Sequence, residues 1–142
     1  TSPTEELVAG FERTGCTQLS VMEVEGTEVS KYGIVVPGEG FHAVAGLVEK
    51  PKLEDAPSRL ASIGRYVLEP EILDILTETP PDAVNRRALE GRVAAVPLSG
   101  TRYDCGSKFG YLEAIVDFAL DHEEYGTAFG DLIRVRARRN AA

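Results

Sequence analysis

A carboxylate placed just before a predicted helix is the first sign of chemistry in this sequence. The segment Arg102-Tyr103-Asp104-Cys105-Gly106-Ser107-Lys108 leads from a strand into that helix. Mg²⁺ is usually bound by one or two carboxylates together with phosphate oxygens, and helix N-termini attract anions. Asp104 is therefore a candidate Mg²⁺ ligand, although the same residue in this place could simply cap the helix.

Two further segments could bind the other parts of a phosphorylated ligand. Glu49 and Lys50 are neighbours in Val48-Glu49-Lys50-Pro51, at the end of an apolar strand. A carboxylate accepts hydrogen bonds from hydroxyls and an ammonium binds phosphate oxygens, but neighbours on a regular strand point to opposite faces. The pair can serve one site only if the chain bends there. Gly33 permits a ligand to approach its backbone closely, although a tight turn is the commoner reason for a glycine.

Other catalytic schemes find no support, since the sequence contains no CxxC, HExxH, GxSxG or P-loop motif. His42 and His122 are far apart and do not suggest a metal pair, and His122 near a predicted helix end is typical of a solvated histidine. Cys16 and Cys105 are isolated thiols that do not define a disulfide framework.

The elements that position these residues follow from local patterns. Ser2 and Glu5 form a capping-box pattern with Pro3 at the first helical position, and Gly15 is typical of a helix end. Ser107 is a second candidate cap. Apolar patterns predict strands at residues 18–24, 32–36, 43–50, 62–68 and 93–98, and helices at 69–76, 107–122 and 128–138.

The order of these elements indicates an α/β fold with a mixed rather than a purely parallel sheet. Helical periodicity also predicts which faces are buried. The predicted stripes consist of Ile72, Leu73 and Leu76 in one helix and of Leu112, Ile115, Val116 and Ala119 in the next.

The composition limits the partners. The 142 residues suit one domain, and 15 Lys and Arg against 23 Asp and Glu give a formal net charge of −8. This balance argues against binding of nucleic acid, and the arginines at 134–139 are predicted to form a solvated tail. No apolar run approaches the roughly 18 residues of a membrane span, and residues 1–6 do not resemble a secretory signal. We expect a cytoplasmic location, since nothing requires an oxidising compartment.

Several short strings follow one another along the chain. They are Val48-Glu49-Lys50-Pro51-Lys52, Ala56-Pro57-Ser58, Ile63-Gly64-Arg65-Tyr66-Val67-Leu68, Thr79-Pro80-Pro81, the Arg102-to-Lys108 segment quoted above and Gly110-Tyr111-Leu112. Taken in order, these segments resemble bacterial UTP–glucose-1-phosphate uridylyltransferases, from about Glu5 to Phe129. Glucose-1-phosphate thymidylyltransferases share the Glu-Lys-Pro element and the late Asp, but less of the remaining sequence.

The resemblance implies a Rossmann-like nucleotidyltransferase fold with a mixed, mostly parallel sheet. It also implies the formation of UDP-glucose and pyrophosphate from UTP and glucose 1-phosphate. It implies that Gly33 approaches the glucosyl group through its backbone and that Glu49 binds glucose hydroxyls. Lys50 would contact the phosphates, and Asp104 would bind Mg²⁺. Catalysis would consist mainly of positioning and charge neutralisation.

Some family features are absent from this sequence. The family begins with a nucleotide-binding loop of the Gly-x-Gly-Thr-Arg kind and has a second metal-binding Asp, and neither occurs here. We therefore interpret residues 1–142 as the C-terminal, sugar-phosphate-binding half of the domain, which alone would not bind UTP as the family does. The family also has a loop at the position where Pro81 here meets Asp82, so we expect omitted residues between them.

Other functions are compatible with the sequence. The chain could be a non-catalytic sugar-phosphate-binding module that assembles with a partner chain, or a related thymidylyltransferase. Family members are commonly homo-oligomers, so the helices at 107–122 and 128–138 are predicted interface elements.

Overall fold

The computed structural model describes residues 2–40, 42–78 and 83–140. The chain divides into two units, residues 1–100 and residues 101–142, of which the first contains the sheet. The expected omission between Pro81 and Asp82 lies outside the described residues.

The first unit is built on a five-stranded sheet. Its strands are β1 (Thr17–Glu23), β2 (Gly33–Pro37), β3 (Val44–Glu49), β4 (Leu60–Val67) and β5 (Val93–Pro97), in the order β3-β2-β4-β1-β5. β1 runs parallel to β5, whereas the β1–β4, β2–β4 and β2–β3 pairs are antiparallel. The predicted α/β class with a mixed sheet is therefore confirmed, but the expectation of mostly parallel strands is wrong for these four pairs, three of which are antiparallel. The five predicted strands are all present, with ends that differ by no more than two residues.

The described part of the first unit also contains helices α1 (Pro3–Thr14), α2 (Ile72–Glu78) and α3 (Ala83–Leu89), with short 3₁₀ helices at Gly26–Lys31 and Leu53–Asp55. The sequence patterns did not predict α3 or the 3₁₀ helices, because such short elements give little periodic signal.

Helix α1 begins and ends as its sequence predicts. The Ser2 hydroxyl accepts a hydrogen bond from the Glu5 backbone N–H at 3.3 Å, and the Glu5 carboxylate accepts one from the Ser2 N–H at 2.7 Å. Gly15 ends the helix with a left-handed backbone, φ +63°. Glycine adopts this conformation without steric penalty. The capping box and the glycine stop are both confirmed.

Helix α2 corrects one prediction. It begins at Ile72 rather than at 69, because Glu69 and Pro70 form a turn whose carbonyls accept from Ile72 and Leu73 N–H. Ile72 is buried, but 65% of Leu73 and 37% of Leu76 are exposed. The predicted apolar stripe is wrong beyond its first residue, since of these three side chains only Ile72 reaches the core.

Strand β1 lies deep inside the sheet. Its polar residues Thr17, Gln18 and Ser20 are as buried as Leu19 and Val21, because β4 and β5 flank the strand and both its faces are covered. Buried polar groups need hydrogen-bond partners. The Gln18 amide finds them by donating to the Thr14 hydroxyl at 2.9 Å and the Cys16 carbonyl at 2.7 Å.

Hydrophobic clusters lie on both faces of the sheet, since Ile34 and its neighbour Val35 belong to different clusters. The cluster that contains Val35 is the one against which α3 packs through Ala88. Its other buried members are Leu19, Val21, Val44, Val93 and Ala95, and the opposite cluster consists of Val24, Val29, Ile34 and Ala61.

A buried carboxylate joins four separate segments of this unit. Glu69 is 2% exposed, and its oxygens accept from Arg87 Nε at 3.0 Å, Arg92 Nε at 2.9 Å and the Thr17 hydroxyl at 3.3 Å. Burial by itself raises the pKa of the Glu69 carboxyl. The hydrogen bonds and charges of Arg87 and Arg92 outweigh that effect and hold the pKa below its usual value of 4.5.

The second unit contains α4 (Lys108–Leu120) and α5 (Gly126–Asn140), which confirms both predicted C-terminal helices within two residues. The predicted buried stripe of α4 is wrong at two of its four residues, however, whereas Val116 and Ala119 are half-buried. Leu112 and Ile115 are 58% and 43% exposed, and the buried residues are Gly110 and Ala114. At position 110 there is no room for a side chain, because a Cβ on Gly110 would already meet the Asp104 carbonyl at 2.4 Å.

The arginines of residues 134–139 lie on the exposed surface of α5, as the predicted solvated tail requires. None of the helices in the described ranges has the length and apolarity needed to cross a membrane. Cys16 and Cys105 are both free thiols.

Candidate functional site

Gly33 and Glu49 face each other at one end of the β2–β3 pair. They are register partners, and a Cβ on Gly33 would lie 3.1 Å from Oε2 of Glu49. Such a distance is shorter than ordinary van der Waals contact, so the missing side chain leaves room for the carboxylate above the Gly33 backbone. This end of the pair therefore combines a half-buried backbone that carries no side chain with an acceptor-only group.

The chain bends at Lys50, as it must if the Glu49 and Lys50 side chains are to serve one site. The φ of Lys50 is +46°, a left-handed conformation that non-glycine residues seldom adopt. The Lys50 N–H still donates to the Tyr32 carbonyl at 2.9 Å, so the bend falls directly after the last paired residue of β3. Its ammonium returns to lie 3.5 Å from Oε1 of Glu49. The two neighbouring side chains thus converge instead of pointing to opposite faces.

The backbone after Lys50 is held by the 3₁₀ helix that precedes β2. Pro51 is buried, and its carbonyl accepts a hydrogen bond from the Ser30 hydroxyl at 2.7 Å. A left-handed non-glycine residue persists only where its surroundings determine it, and such residues concentrate at functional sites. The Ser30–Pro51 contact is one such constraint on the Lys50 bend.

The charges at this corner are open to solvent. The Glu49 and Lys50 side chains are 73% and 63% exposed. An ion pair with this exposure contributes little to folding, of the order of 0–1 kcal/mol. Both groups remain available to a ligand that carries hydroxyls, which donate to the carboxylate, and phosphate oxygens, which attract the ammonium.

A shallow apolar cavity of about 340 Å³ lies on the same face of the sheet. Its floor is formed by Val21, Val35 and Leu60, and His42 lies on its wall. Val35 follows Gly33 by two residues on β2, which places the cavity along the strand from the Gly33–Glu49 corner.

Asp104 lies in the loop that leads into α4, in the second unit. Its Oδ1 accepts a hydrogen bond from the Gly106 N–H at 3.2 Å. The helix cap is Ser107, whose hydroxyl accepts from Gly110 N–H at 3.0 Å. The capping role that could have explained Asp104 therefore belongs to Ser107, and the Asp104 carboxylate is exposed.

The Asp104 carboxylate suits Mg²⁺ if phosphate oxygens and water complete the coordination of the ion. Within residues 2–40, 42–78 and 83–140, no three His, Cys, Asp or Glu side chains gather into a metal cage. Mg²⁺ is usually bound by one or two carboxylates with substrate phosphates, so a single exposed carboxylate fits that mode of binding.

The structure thus brings three predicted site residues together, Gly33, Glu49 and Lys50, and places Asp104 in the other unit. The sequence patterns missed two polar residues, Ser62 and Tyr66. Both lie on β4, the strand that pairs with the Gly33 strand β2. A glycine within that strand segment, Gly64, was the available signal, because glycine inside a strand often marks a bulge.

Comparison with known proteins shows the family to which the chain belongs. The profile described as nucleotidyl transferase matches residues 2–120. The UTP–glucose-1-phosphate uridylyltransferase of Streptococcus pyogenes is 40% identical over 134 residues, which cover 85% of this chain and 44% of that protein.

Two solved structures give the same result. The UDP-glucose pyrophosphorylase of Acinetobacter baumannii superimposes with a TM-score of 0.81 at 34% identity, over 90% of this chain and 48% of that one. A UDP-glucose pyrophosphorylase complexed with UDP-glucose gives a TM-score of 0.72 at 37% identity, over 80% of this chain and 48% of that one.

The chain belongs to the nucleotidyl transferase family. Within that family it is similar to the UTP–glucose-1-phosphate uridylyltransferases, which confirms the resemblance found in its sequence motifs. It spans a little under half the length of these relatives.

Proposed function

We propose that this chain forms the sugar-phosphate-binding part of a UTP–glucose-1-phosphate uridylyltransferase. The reaction joins UTP and glucose 1-phosphate to give UDP-glucose and pyrophosphate. The observation that carries the proposal is the Gly33–Glu49–Lys50 corner, where a bare backbone, a carboxylate and an ammonium lie together. The names of the similar enzymes support it.

Gly33 and Glu49 hold the sugar. The hexose lies beside the Gly33 backbone, next to the Glu49 carboxylate that takes part of the room a Cβ would fill, and its hydroxyls donate to that carboxylate. Hydrogen bonds to an ionised acceptor are stronger than those between neutral groups. Glu49 therefore fixes both the position and the orientation of the ring.

Lys50 binds the phosphate. A phosphate oxygen of glucose 1-phosphate attacks the α-phosphorus of UTP, forming one P–O bond while the bond to pyrophosphate breaks in line. The Lys50 ammonium neutralises the negative charge that otherwise opposes the approach of the two phosphates. Its bend toward Glu49 lets one short segment hold the sugar and its phosphate together. Catalysis then rests on positioning and electrostatics, with no covalent enzyme intermediate.

Asp104 would hold the divalent cation, which we propose to be Mg²⁺. Such an ion, when bound, neutralises phosphate charge and orients the leaving pyrophosphate. The Gly106 N–H fixes one oxygen of the Asp104 carboxylate and leaves the group facing solvent.

We also propose that the protein is a cytoplasmic homo-oligomer that associates through α4 and α5. The support is the large exposed apolar surface of these helices, on which Phe109 and Phe118 are 71% and 70% exposed. Contiguous apolar surface on a folded protein often marks an interface.

The function is tested by incubating the intact protein with UTP, glucose 1-phosphate and Mg²⁺ and measuring pyrophosphate and UDP-glucose. Equal amounts of the two products support the proposal. Replacing UTP by dTTP separates it from a thymidylyltransferase. Binding of glucose 1-phosphate without any product would instead support a non-catalytic module and contradict the proposed activity.

A further inference from the structure

A pair of hydroxyls lies on β4 beside Gly33, on the side away from Glu49. Ser62 Oγ and Tyr66 Oη are 3.2 Å apart, within hydrogen-bond distance. Ser62 is half-buried and Tyr66 is 43% exposed, so the pair is open to a ligand.

The strand register places this pair on the same face as Glu49. Ile34 of β2 pairs with Ala61 of antiparallel β4, so the next step of that pairing brings Gly33 beside Ser62. Gly33 also pairs with Glu49, and paired residues project to one face of a sheet. Ser62, Gly33 and Glu49 therefore form one row across three adjacent strands.

The hydrophobic clusters confirm this orientation. Val21 pairs with Ser62 across the β1–β4 ladder, and Val35 lies two residues from Gly33 on β2. Val21 and Val35 belong to the same buried cluster, which fixes them to one face of the sheet. Ser62 and Gly33 consequently share that face.

An irregularity in β4 brings the two hydroxyls together. Leu19 pairs with Tyr66 but Val21 pairs with Ser62, so three residues of β4 stand opposite one residue of β1. Gly64, the middle of the three, has φ +81°. On a regular strand, residues four apart would be separated by about 13 Å. The bulge shortens this distance until the side chains meet, and bulges commonly re-aim side chains next to active sites.

We propose that Ser62 and Tyr66 are specificity-determining residues of the sugar site. Resting on the function proposed above, the inference is that their hydroxyls bind a hexose hydroxyl on the side of the ring away from Glu49. Two strand spacings, about 10 Å in all, separate the backbones of Ser62 and Glu49, with Gly33 between them. That gap accommodates one sugar ring with its hydroxyls.

The two sides of this row have different hydrogen-bonding capacities. Glu49 only accepts, whereas the hydroxyl pair both donates and accepts. One hydroxyl hydrogen joins Ser62 to Tyr66, and the other is left for the sugar. An epimer that inverts the hydroxyl on this side would lose the contact and leave the pair partly unsatisfied, which is how polar sites reject a near-identical substrate.

The test uses Tyr66→Phe and Ser62→Ala in the intact protein, since each removes one hydroxyl with little change of shape. We expect the KM for glucose 1-phosphate to rise about three- to tenfold, the value of one hydrogen bond, with kcat and the KM for UTP little changed. We also expect a smaller preference for glucose 1-phosphate over galactose 1-phosphate. Ser62→Thr keeps a hydroxyl at this position and should have the same KM for glucose 1-phosphate and the same sugar preference as wild type.

Tyr125→Phe is the matched control, because it removes the hydroxyl of an exposed tyrosine in the second unit. If Tyr66→Phe and Ser62→Ala lower the thermal midpoint but leave KM and the sugar preference unchanged, the pair is structural and the inference is overturned. A wild-type protein that makes no UDP-glucose would overturn the proposed function instead.

Discussion

Gly33 lies directly across the β2–β3 pair from Glu49, and a methyl group at position 33 would come within 3.1 Å of Oε2 of Glu49. The absence of a side chain on one strand thus determines where the carboxylate of the next strand can lie. Because both residues belong to paired strands, the sheet fixes the spacing of the proposed sugar site before any ligand binds.

Gly33→Ala should therefore displace the Glu49 carboxylate. We expect the KM for glucose 1-phosphate to rise about tenfold, with little change in thermal unfolding, because the displaced group is exposed. Steady-state kinetics with varied glucose 1-phosphate measure the effect. Gly100→Ala is the control, since a Cβ there would have no neighbour within 4 Å. Equal KM values for the two variants would refute the role of Gly33.

Substitutions at Lys50 should separate its backbone strain from its charge. Both Lys50→Ala and Lys50→Gly remove the ammonium and should weaken binding of glucose 1-phosphate about equally. Glycine relieves the left-handed φ of +46°, so Lys50→Gly should be about 0.5–1 kcal/mol more stable than Lys50→Ala.

Urea unfolding of the two Lys50 variants measures this difference. Lys52, with φ −68°, is the control position, where the glycine variant should be the less stable of the two. The same order of stability at both positions would show that Lys50 is not strained.

Asp104→Asn should lower turnover strongly and leave folding intact. The asparagine oxygen can still accept from the Gly106 N–H, but it lacks the charge that attracts a divalent cation. Turnover as a function of Mg²⁺ concentration, together with thermal unfolding, measures both effects. Asp121→Asn in the same unit should behave as wild type. Unchanged Mg²⁺ dependence in Asp104→Asn would argue against a metal ligand at this position.

The buried Glu69 should make folding stability depend on pH. Its folded pKa lies below 4.5, so its contribution is fully present above that pH and is lost as the pH falls through the folded pKa. Glu69→Gln should cost about 3 kcal/mol at pH 7, because it leaves Arg87 and Arg92 without their buried partner.

Urea unfolding between pH 7 and pH 3.5 checks this prediction for Glu69. The loss of stability toward acid should be smaller in Glu69→Gln than in wild type. Glu90→Gln, which removes only the exposed partner of Arg87, should have a minor effect. Parallel pH profiles for wild type and Glu69→Gln would contradict the role of this cluster.

The sequence predicted elements whose signals are local. The capping box at Ser2 and Glu5, the stop at Gly15 and the cap at Ser107 each depend on residues within a single helical turn. The strands followed from runs of apolar residues. Local rules do not reveal which side of an element is covered, and for that reason the apolar stripes of α2 and α4 were wrong at Leu73 and Leu112.

The candidate site was predicted in part, for a related reason. The residue types of Glu49 and Lys50 suggested a sugar phosphate, but their convergence depends on a left-handed bend that non-glycine residues seldom adopt. The Ser62–Tyr66 pair depends on strand register and on a bulge, which a sequence does not display. The ionic cluster around Glu69 could not be predicted either, because Arg87 and Arg92 lie next to Glu69 only in the folded chain.

The central claim is that the Glu49 carboxylate binds the sugar of glucose 1-phosphate, and Glu49→Gln tests it most directly. The substitution keeps size and removes charge, and a hydrogen bond to a charged group contributes about 1.5–3 kcal/mol. Glu12→Gln, an exposed glutamate on α1, is the control. The measurement is kcat/KM for glucose 1-phosphate in the intact protein. We predict a loss of about ten- to a hundredfold in Glu49→Gln with the KM for UTP unchanged, whereas a value equal to that of Glu12→Gln would contradict the account.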